Sequence, residues 1–158
     1  MEKHVLRKVF ESFPYGLFIL GSRNGPTICT SVVNWVTQVS FHPPIVAVAV
    51  EENSRMRKNI EDSLIFSLNT LRAGAIETAK ALLKNGEPVG HTMNGQEFTL
   101  GSLGLPVFLE AASSIECKVT HSIQAGDHVI FVGEVLNAVS HYEGDILTLK
   151  ETGWRYAK

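Results

Sequence analysis

The chain has 158 residues, enough for one domain with a single large core, so residues 1–158 are expected to form one domain. Apolar residues make up 44% of the chain and charged residues 19%, and the formal net charge is -2. This charge provides no basic field for nucleic acid or for an anionic membrane surface, so neither is expected as a partner.

Nothing in the sequence indicates secretion or membrane insertion. The amino terminus has no long apolar core of the kind found in signal peptides, and no run approaches the roughly 20 apolar residues of a membrane span. The two cysteines, Cys29 and Cys117, are far apart in the sequence. These features predict a cytoplasmic protein with reduced thiols.

The first elements are an amphipathic helix and a hairpin. Apolar residues recur at helical spacing over residues 3–12, and a strand is expected over 17–21. Residues 23–26, Arg-Asn-Gly-Pro, are a strong turn signal that leads back into the next extended stretch.

Residues 27–50 are the centre of the sequence and divide into two extended halves. Two consecutive prolines after His42 cannot donate ladder hydrogen bonds, so the chain must turn there. Residues 45–50 are apolar throughout, which predicts a strand buried on both faces. In the first half, Asn34 and Gln38 would share one face of a regular strand. That face is a candidate binding surface, although solvent exposure or backbone hydrogen bonds would also explain both residues.

A helix over residues 55–62 is predicted with Ser54 as its N-cap. Its first turn carries Arg55, Arg57 and Lys58, which the helix dipole disfavours. Clustered cations at a helix start are favourable where an anion binds. The alternative is a solvated positive face on a surface helix.

The second half of the chain reads as strands with one further helix. Strands are predicted over 64–71, 115–119, 128–139 and 146–149, and a helix over 75–83. Residues 87–105 have many glycines and little periodicity, which is typical of a functional cover or a mobile loop. In this stretch His91 and Phe98 could lie over a ligand or fill a satellite core.

These elements predict a mainly β fold, an antiparallel barrel that is closed or half closed, with helices attached. No glycine-rich phosphate loop follows a strand, so a dinucleotide-binding fold of that type has no support. The six histidines show no metal-ligand spacing and Cys-x-x-Cys does not occur, so no metal site is expected. Gly-x-Ser-x-Gly is absent as well, so no nucleophile elbow is indicated, and no acid, base or nucleophile stands out. Redox chemistry would therefore need a bound cofactor.

Residues 34–44, Asn-Trp-Val-Thr-Gln-Val-Ser-Phe-His-Pro-Pro, resemble the signature of the flavin reductase-like, FMN-binding split-barrel family. Residues 127–135, Asp-His-Val-Ile-Phe-Val-Gly-Glu-Val, resemble a second landmark of that family. The similarity spans about residues 5–150 with the landmarks in the family's order. The form with Asn34 and Gln38 is most similar to flavin reductase domains that serve rubredoxins or flavodiiron proteins.

The resemblance implies a homodimeric split barrel with FMN in a groove near the dimer interface. It implies that the isoalloxazine edge and ribityl chain contact Ser31, Val32, Val33, Asn34, Trp35 and Gln38. It implies that the phosphate lies near Asn53, Ser54, Arg55 and Arg57. His128 would lie beside the flavin, where nicotinamide approaches. Trp35 departs from the Ser or Thr of many members, so the indole would stack or face the partner subunit.

The resemblance therefore predicts an FMN flavoprotein that oxidises NADH or NADPH and passes electrons to free flavin or to a small rubredoxin-like iron protein. Two alternatives remain open. One is an electron-transfer or flavin-carrier module without nicotinamide activity, and the other is a barrel that has lost its cofactor and serves only in assembly.

Overall fold

The computed structural model describes residues 1–156 and places in them four helices and eleven strands. The helices are α1 (Lys3–Glu11), α2 (Arg55–Ser63), α3 (Ile76–Ala81) and α4 (Leu149–Thr152). The strands are β1 (Phe18–Asn24), β2 (Thr27–Val33), β3 (Val36–Phe41), β4 (Pro44–Glu51), β5 (Ile65–Leu71), β6 (Pro88–Val89), β7 (Thr92–Met93), β8 (Gln96–Leu100), β9 (Pro106–Phe108), β10 (Ala111–Ala125) and β11 (His128–Ser140). The mainly β prediction is confirmed.

Seven strands form one antiparallel sheet in the order β2-β1-β5-β10-β11-β4-β3. Strands β2 and β3 lie at its opposite edges, yet only Asn34 and Trp35 separate them in the chain. The sheet must therefore curl until its edges are two residues apart. Within residues 1–156 these edges do not pair, so the sheet is strongly curved but not closed.

The stretch 27–50 contains three strands rather than two extended halves. The chain leaves β2 at Asn34 and enters β3 at Val36, while the predicted turn at His42 joins β3 to β4. The prediction that Asn34 and Gln38 share one strand face is therefore wrong. Asn34 lies buried in the link between the sheet edges, and Gln38 is exposed and donates from Nε2 to the backbone oxygen of Ser40 at 3.2 Å.

The surroundings of β4 explain why residues 45–50 are all apolar. Val46, Val48 and Val50 belong to the main core, whereas Ala47 and Ala49 are half buried and line a large cavity. The strand is thus apolar on both sides, but only one side is fully buried. The prediction of burial on both faces is wrong for the cavity side.

The predicted N-cap is confirmed. Ser54 Oγ accepts the backbone N–H of Arg57 at 3.0 Å and so caps the start of α2. The helix packs on β1, where Asn59 donates a buried hydrogen bond of 2.6 Å to Ser22.

Helix α1 does not pack into the core in this way. None of its residues is buried, and its apolar side chains Leu6 and Phe10 line the large cavity.

Two predictions for the second half are wrong. Residues 87–105 contribute β6, β7 and β8 to a small antiparallel sheet with β9 instead of forming an irregular loop. Phe98 lies in a second core cluster with Phe108, so it fills a satellite core. In place of the strand expected over 146–149, Ile146 and Thr148 form isolated bridges to Arg72 and Gly16, and residue 149 already belongs to α4. No helix in residues 1–156 is long and apolar enough to cross a membrane.

Candidate functional site

A cavity of about 1080 Å³ opens where the two edges of the sheet approach each other. Its walls come from α1 and the segment after it, from the link between β2 and β3, from β4, and from the start of β11. The lining includes the aromatic residues Phe10, Phe13, Tyr15, Phe18, Trp35 and Tyr156. A concave site with mostly apolar, aromatic walls is suited to a flat organic ring.

One wall is a cluster of three aromatic rings that we call the aromatic cluster: Trp35, His128 and Tyr156. The ring centroids of Trp35 and His128 are 4.5 Å apart, and those of Trp35 and Tyr156 are 5.2 Å apart. The indole thus packs at 44° to the imidazole and nearly edge-on to the phenol ring of its own chain. Trp35 is still 37% exposed, so the cluster presents an aromatic surface to the cavity without filling it.

Hydrogen bonds fix the imidazole of His128. Its Nδ1 lies 2.6 Å from Oδ1 of Asp127, and its Nε2 lies 3.0 Å from the hydroxyl oxygen of Tyr156. The Tyr156 hydroxyl donates in turn to Oε1 of Glu51 at 3.0 Å. Both ring nitrogens are engaged and the residue is only 5% exposed, so an occupant of the cavity meets carbon atoms of this ring.

Burial is the main reason that the pKa of Tyr156 is raised above its ordinary value, and the hydrogen bond to Glu51 adds to the effect. The phenol therefore keeps its proton across the physiological range. It acts as a fixed hydrogen-bonding group between His128 and Glu51.

Asn34 brings a buried amide to the same cavity. The residue is 8% exposed, and its Nδ2 has no hydrogen-bond partner within the described part of the chain. An unpaired buried donor costs about 1–3 kcal/mol. A ligand with a hydrogen-bond acceptor at its edge would remove that cost.

A smaller, polar cavity of about 310 Å³ lies beside the end of β4 and the start of α2. It is lined by Cys29, Thr30, Ser31, Glu51, Asn53, Ser54, Arg55, Met56, Asn85 and Gly86. Ser31 and Asn34 are three residues apart, about 10 Å along an extended chain, and face the polar and the large cavity respectively. The two cavities are therefore neighbours along one segment.

The polar cavity combines several groups that suit an anion with one carboxylate, Glu51, that opposes it. The hydroxyl of Thr30, a residue 6% exposed, is buried with no partner among residues 1–156. The first backbone N–H groups of α2 point out of the helix start, where a helix terminus favours negative charge. Arg55 lies at the rim, and its Nη1 forms an ion pair of 2.7 Å with Glu87.

The two cysteines are structural. Burial raises the pKa of the Cys29 thiol, and it raises the pKa of the Cys117 thiol to about 12. Both remain protonated near neutral pH, so neither supplies a thiolate nucleophile. In the described part of the chain no three histidine, cysteine or acidic side chains are grouped to hold a metal ion.

The structure gathers most of the residues singled out from the sequence into these two cavities. Ser31, Asn53, Ser54 and Arg55 line the polar cavity, and Asn34, Trp35 and His128 line the large one. The remaining four, Val32, Val33, Gln38 and Arg57, line neither. The two valines pack against the cores, and Arg57 forms an ion pair of 2.9 Å with Glu61 on the outer side of α2.

Sequence reasoning missed Thr30, Tyr156 and the cavity wall formed by α1. Tyr156 is 28 residues from His128 in the chain, and no local pattern connects them. The helical spacing of residues 3–12 predicts an amphipathic helix but does not indicate what its apolar face covers. An amphipathic helix that packs on a core and one that lines a cavity have the same sequence pattern. Only the structure, in which no residue of α1 is buried, distinguishes them.

Comparison with known proteins gives one consistent result. The family described as the flavin reductase like domain matches residues 10–156. An NADH-dependent FAD reductase of Streptomyces globisporus is 30% identical over 84% of this chain and 74% of its own. Diflavin flavoprotein A 1 of Synechocystis is 29% identical over 88% of this chain but only 25% of its own length. The solved flavin reductase PheA2 superposes with a TM-score of 0.83 at 25% identity, covering all of both chains.

Proposed function

The chain belongs to the flavin reductase-like family, and we propose that it is an NAD(P)H-dependent flavin reductase that holds FMN across its two cavities. The observation that carries this proposal is the pairing of an aromatic cavity with a neighbouring polar one. Each contains a buried polar atom without a partner among the described residues, Nδ2 of Asn34 and Oγ1 of Thr30.

The shapes and chemistries of the two cavities fit the two ends of FMN. The isoalloxazine ring is flat and apolar with a polar edge, which matches the aromatic cluster and the amide of Asn34. Because Ser31 and Asn34 are about 10 Å apart along the strand, the five-carbon ribityl chain can run beside β2 between the cavities. The exposed backbone edge of β2 offers Val32 and Val33 as main-chain contacts.

The polar cavity suits the phosphate of FMN. Ser31, Asn53 and the first N–H groups of α2 provide neutral donors, and Arg55 provides a positive charge. Ser54 caps the helix and donates its hydroxyl to the backbone oxygen of Glu51 at 2.8 Å, so it shapes the site without donating to the phosphate. A helix terminus contributes only about 0.3–1 kcal/mol, whereas micromolar affinity requires about 8 kcal/mol. Burial of the ring in the large cavity must therefore provide most of the binding free energy.

The residues of the large cavity exclude water and fix the face that a nicotinamide can approach. Bound flavin supplies the redox chemistry: NADH or NADPH is oxidised, and two electrons and two protons reach the flavin, one proton coming from solvent. His128 and Trp35 form the wall against which the two rings align. Because both nitrogens of His128 are engaged, its contribution is alignment of the reactants rather than proton transfer.

We further propose the split-barrel form and a homodimer. The covalent link between unpaired sheet edges supports a barrel that is split between β2 and β3. The edge strand β3 exposes Phe41 at 75% and Val39 at 53%, which supports a second copy covering this edge. Reduced flavin would leave as free flavin or pass electrons to a rubredoxin-like iron protein.

A second candidate is an electron carrier without nicotinamide activity. It is favoured by the low exposure of His128, which is 5% exposed and packed against Trp35, so little of its ring is accessible to a nicotinamide. The match to a quarter of the length of a diflavin flavoprotein supports a role of such a domain inside a longer flavoprotein.

Steady-state oxidation of NADH and NADPH with FMN, FAD or riboflavin in excess tests the proposal. We expect nicotinamide oxidation that depends on both protein and flavin, with the ratio between NADH and NADPH defining the donor. Flavin binding without any nicotinamide oxidation would instead establish the carrier, and an absence of flavin binding would overturn both.

A further inference from the structure

We propose that Glu87 determines how strongly the site prefers phosphorylated flavin over riboflavin, because it holds Arg55 in an ion pair that the flavin phosphate must replace. The inference rests on the proposed function and concerns the polar cavity. Nothing in the sequence singled out Glu87, which follows the end of α3 by six residues.

The ion pair between Arg55 and Glu87 is short and placed at the mouth of the polar cavity. Nη1 of Arg55 lies 2.7 Å from Oε1 of Glu87, while the two side chains are 41% and 70% exposed. Arg55 lines the cavity and Glu87 does not. Among the described residues that line this cavity, Arg55 is the only lysine or arginine, and the exposed carboxylate of Glu87 neutralises it.

The position of Glu87 is built into the fold. Nδ2 of Asn94 donates to the backbone oxygens of Ala81 at 3.0 Å and Lys84 at 2.9 Å, which fixes the turn between α3 and β6. A Cβ at Gly86 would collide with the Asn94 amide, so the chain passes against that amide at this point. On the other side, Pro88 pairs with the buried Met93. The turn therefore presents Glu87 to Arg55 from a fixed backbone.

It is favourable for Arg55 to exchange the carboxylate of Glu87 for the phosphate of FMN. Arginine binds phosphate through two parallel N–H donors, and the phosphate of FMN carries more negative charge than one carboxylate. An exposed carboxylate pair is weak, so it can be displaced, but breaking it reduces the apparent affinity by up to about fivefold. Riboflavin, which has no phosphate, leaves the ion pair intact and does not experience this loss.

The same helix contains a matched control. Arg57, two residues from Arg55, pairs with Glu61 at 2.9 Å, and both lie outside the residues that line the polar cavity. Glu61→Gln therefore removes one negative charge and one arginine ion pair from α2 without releasing Arg55. Glu87→Gln makes the same change at the cavity.

Equilibrium titrations of FMN and riboflavin with the intact protein test the inference. We expect Glu87→Gln to bind FMN about two- to fivefold more tightly than wild type at low salt, with riboflavin unchanged, and Glu61→Gln to change neither. In an Arg55→Ala background, Glu87→Gln should have no effect on FMN. An unchanged FMN affinity in Glu87→Gln, or the same gain for riboflavin or in the Arg55→Ala background, would overturn the role of Glu87.

The same titrations distinguish an error in the role of Glu87 from an error in the proposed phosphate site. If wild type binds FMN more tightly than riboflavin while Glu87→Gln has no effect, the phosphate site stands and only the role of Glu87 is lost. Equal affinity for both flavins in wild type and also in Glu87→Gln would overturn the phosphate site and this inference together.

Discussion

The hydroxyl oxygen of Tyr156 lies 3.0 Å from Nε2 of His128 and donates a hydrogen bond to Glu51. Glu51 and His128 face each other across β4 and β11, so the tyrosine closes a small ring of contacts at this end of the sheet. Glu51 also lines the polar cavity, whereas His128 lines the large one. The contact therefore joins the two halves of the proposed flavin site.

Tyr156→Phe should slow the reduction of bound flavin by nicotinamide about two- to tenfold. The substitution keeps the ring beside Trp35 but removes a hydrogen bond worth about 0.5–1.5 kcal/mol, so His128 loses one of the two contacts that orient it. The affinity for FMN should change by less than about twofold. Anaerobic stopped-flow kinetics measures the rate, and a wild-type rate would show that the contact has no role in alignment.

His128→Ala should have a larger effect of the same kind. It removes the imidazole that packs on Trp35, so reduction should slow about tenfold or more while FMN affinity falls less. The rate of flavin reduction and the dissociation constant of FMN, measured on one preparation, show which of the two changes more. A large loss of affinity with an unchanged rate would contradict the position given to His128.

Asn34→Ala should weaken the binding of FMN and riboflavin alike by about two- to tenfold. The amide is buried and its Nδ2 has no partner among the described residues, so it is available to the ring edge that both flavins share. Gln38→Ala is the control, because Gln38 is exposed and bonded to Ser40. If Gln38→Ala gave the larger loss in a fluorescence titration, the ring would lie along β3 instead.

Asn69→Ala should lower the free energy of unfolding by about 3 kcal/mol. The buried amide donates to the backbone oxygens of Ile19 and Pro106 and accepts from Phe108 N–H and the Ser114 hydroxyl, so its loss leaves several buried groups unpaired. Urea denaturation measures the change. Asn85→Ala, at an exposed asparagine, should cost less than about 0.5 kcal/mol, and equal losses would refute this account of the core.

Cys117 should make the folded state sensitive to alkaline pH. Burial raises the pKa of its thiol to about 12, whereas an unfolded thiol titrates near 8.5. Between these values the folded state retains a proton that the unfolded state loses, so the free energy of unfolding falls as pH rises. From pH 8 to 10.5 wild type should lose roughly 1–3 kcal/mol more than Cys117→Ala. Parallel pH profiles would show that the thiol does not contribute.

Local signals in the sequence predicted several features correctly. Ser54 before a helix, the Arg-Asn-Gly-Pro turn and the break at His42 each depend on a few adjacent residues, and the structure has all three. The family resemblance also selected Asn34, Arg55 and His128, which the fold brings to two neighbouring cavities.

Features that depend on distant residues could not be predicted in the same way. The break at Asn34 arises because the sheet curls and its edges meet, which no pattern within the strand indicates. Tyr156 and Glu87 reach their partners only through the path of the whole chain. Two of the strands that residues 87–105 contribute to the small sheet, β6 and β7, have two residues each, which is too short to show a period.

Anaerobic mixing of the FMN-loaded protein with one equivalent of NADH, and separately of NADPH, tests the central claim most directly. The account predicts that the yellow absorbance of bound flavin is lost in a single turnover with at least one of the two donors, and more slowly in His128→Ala. Flavin that binds but stays oxidised with both donors would contradict it.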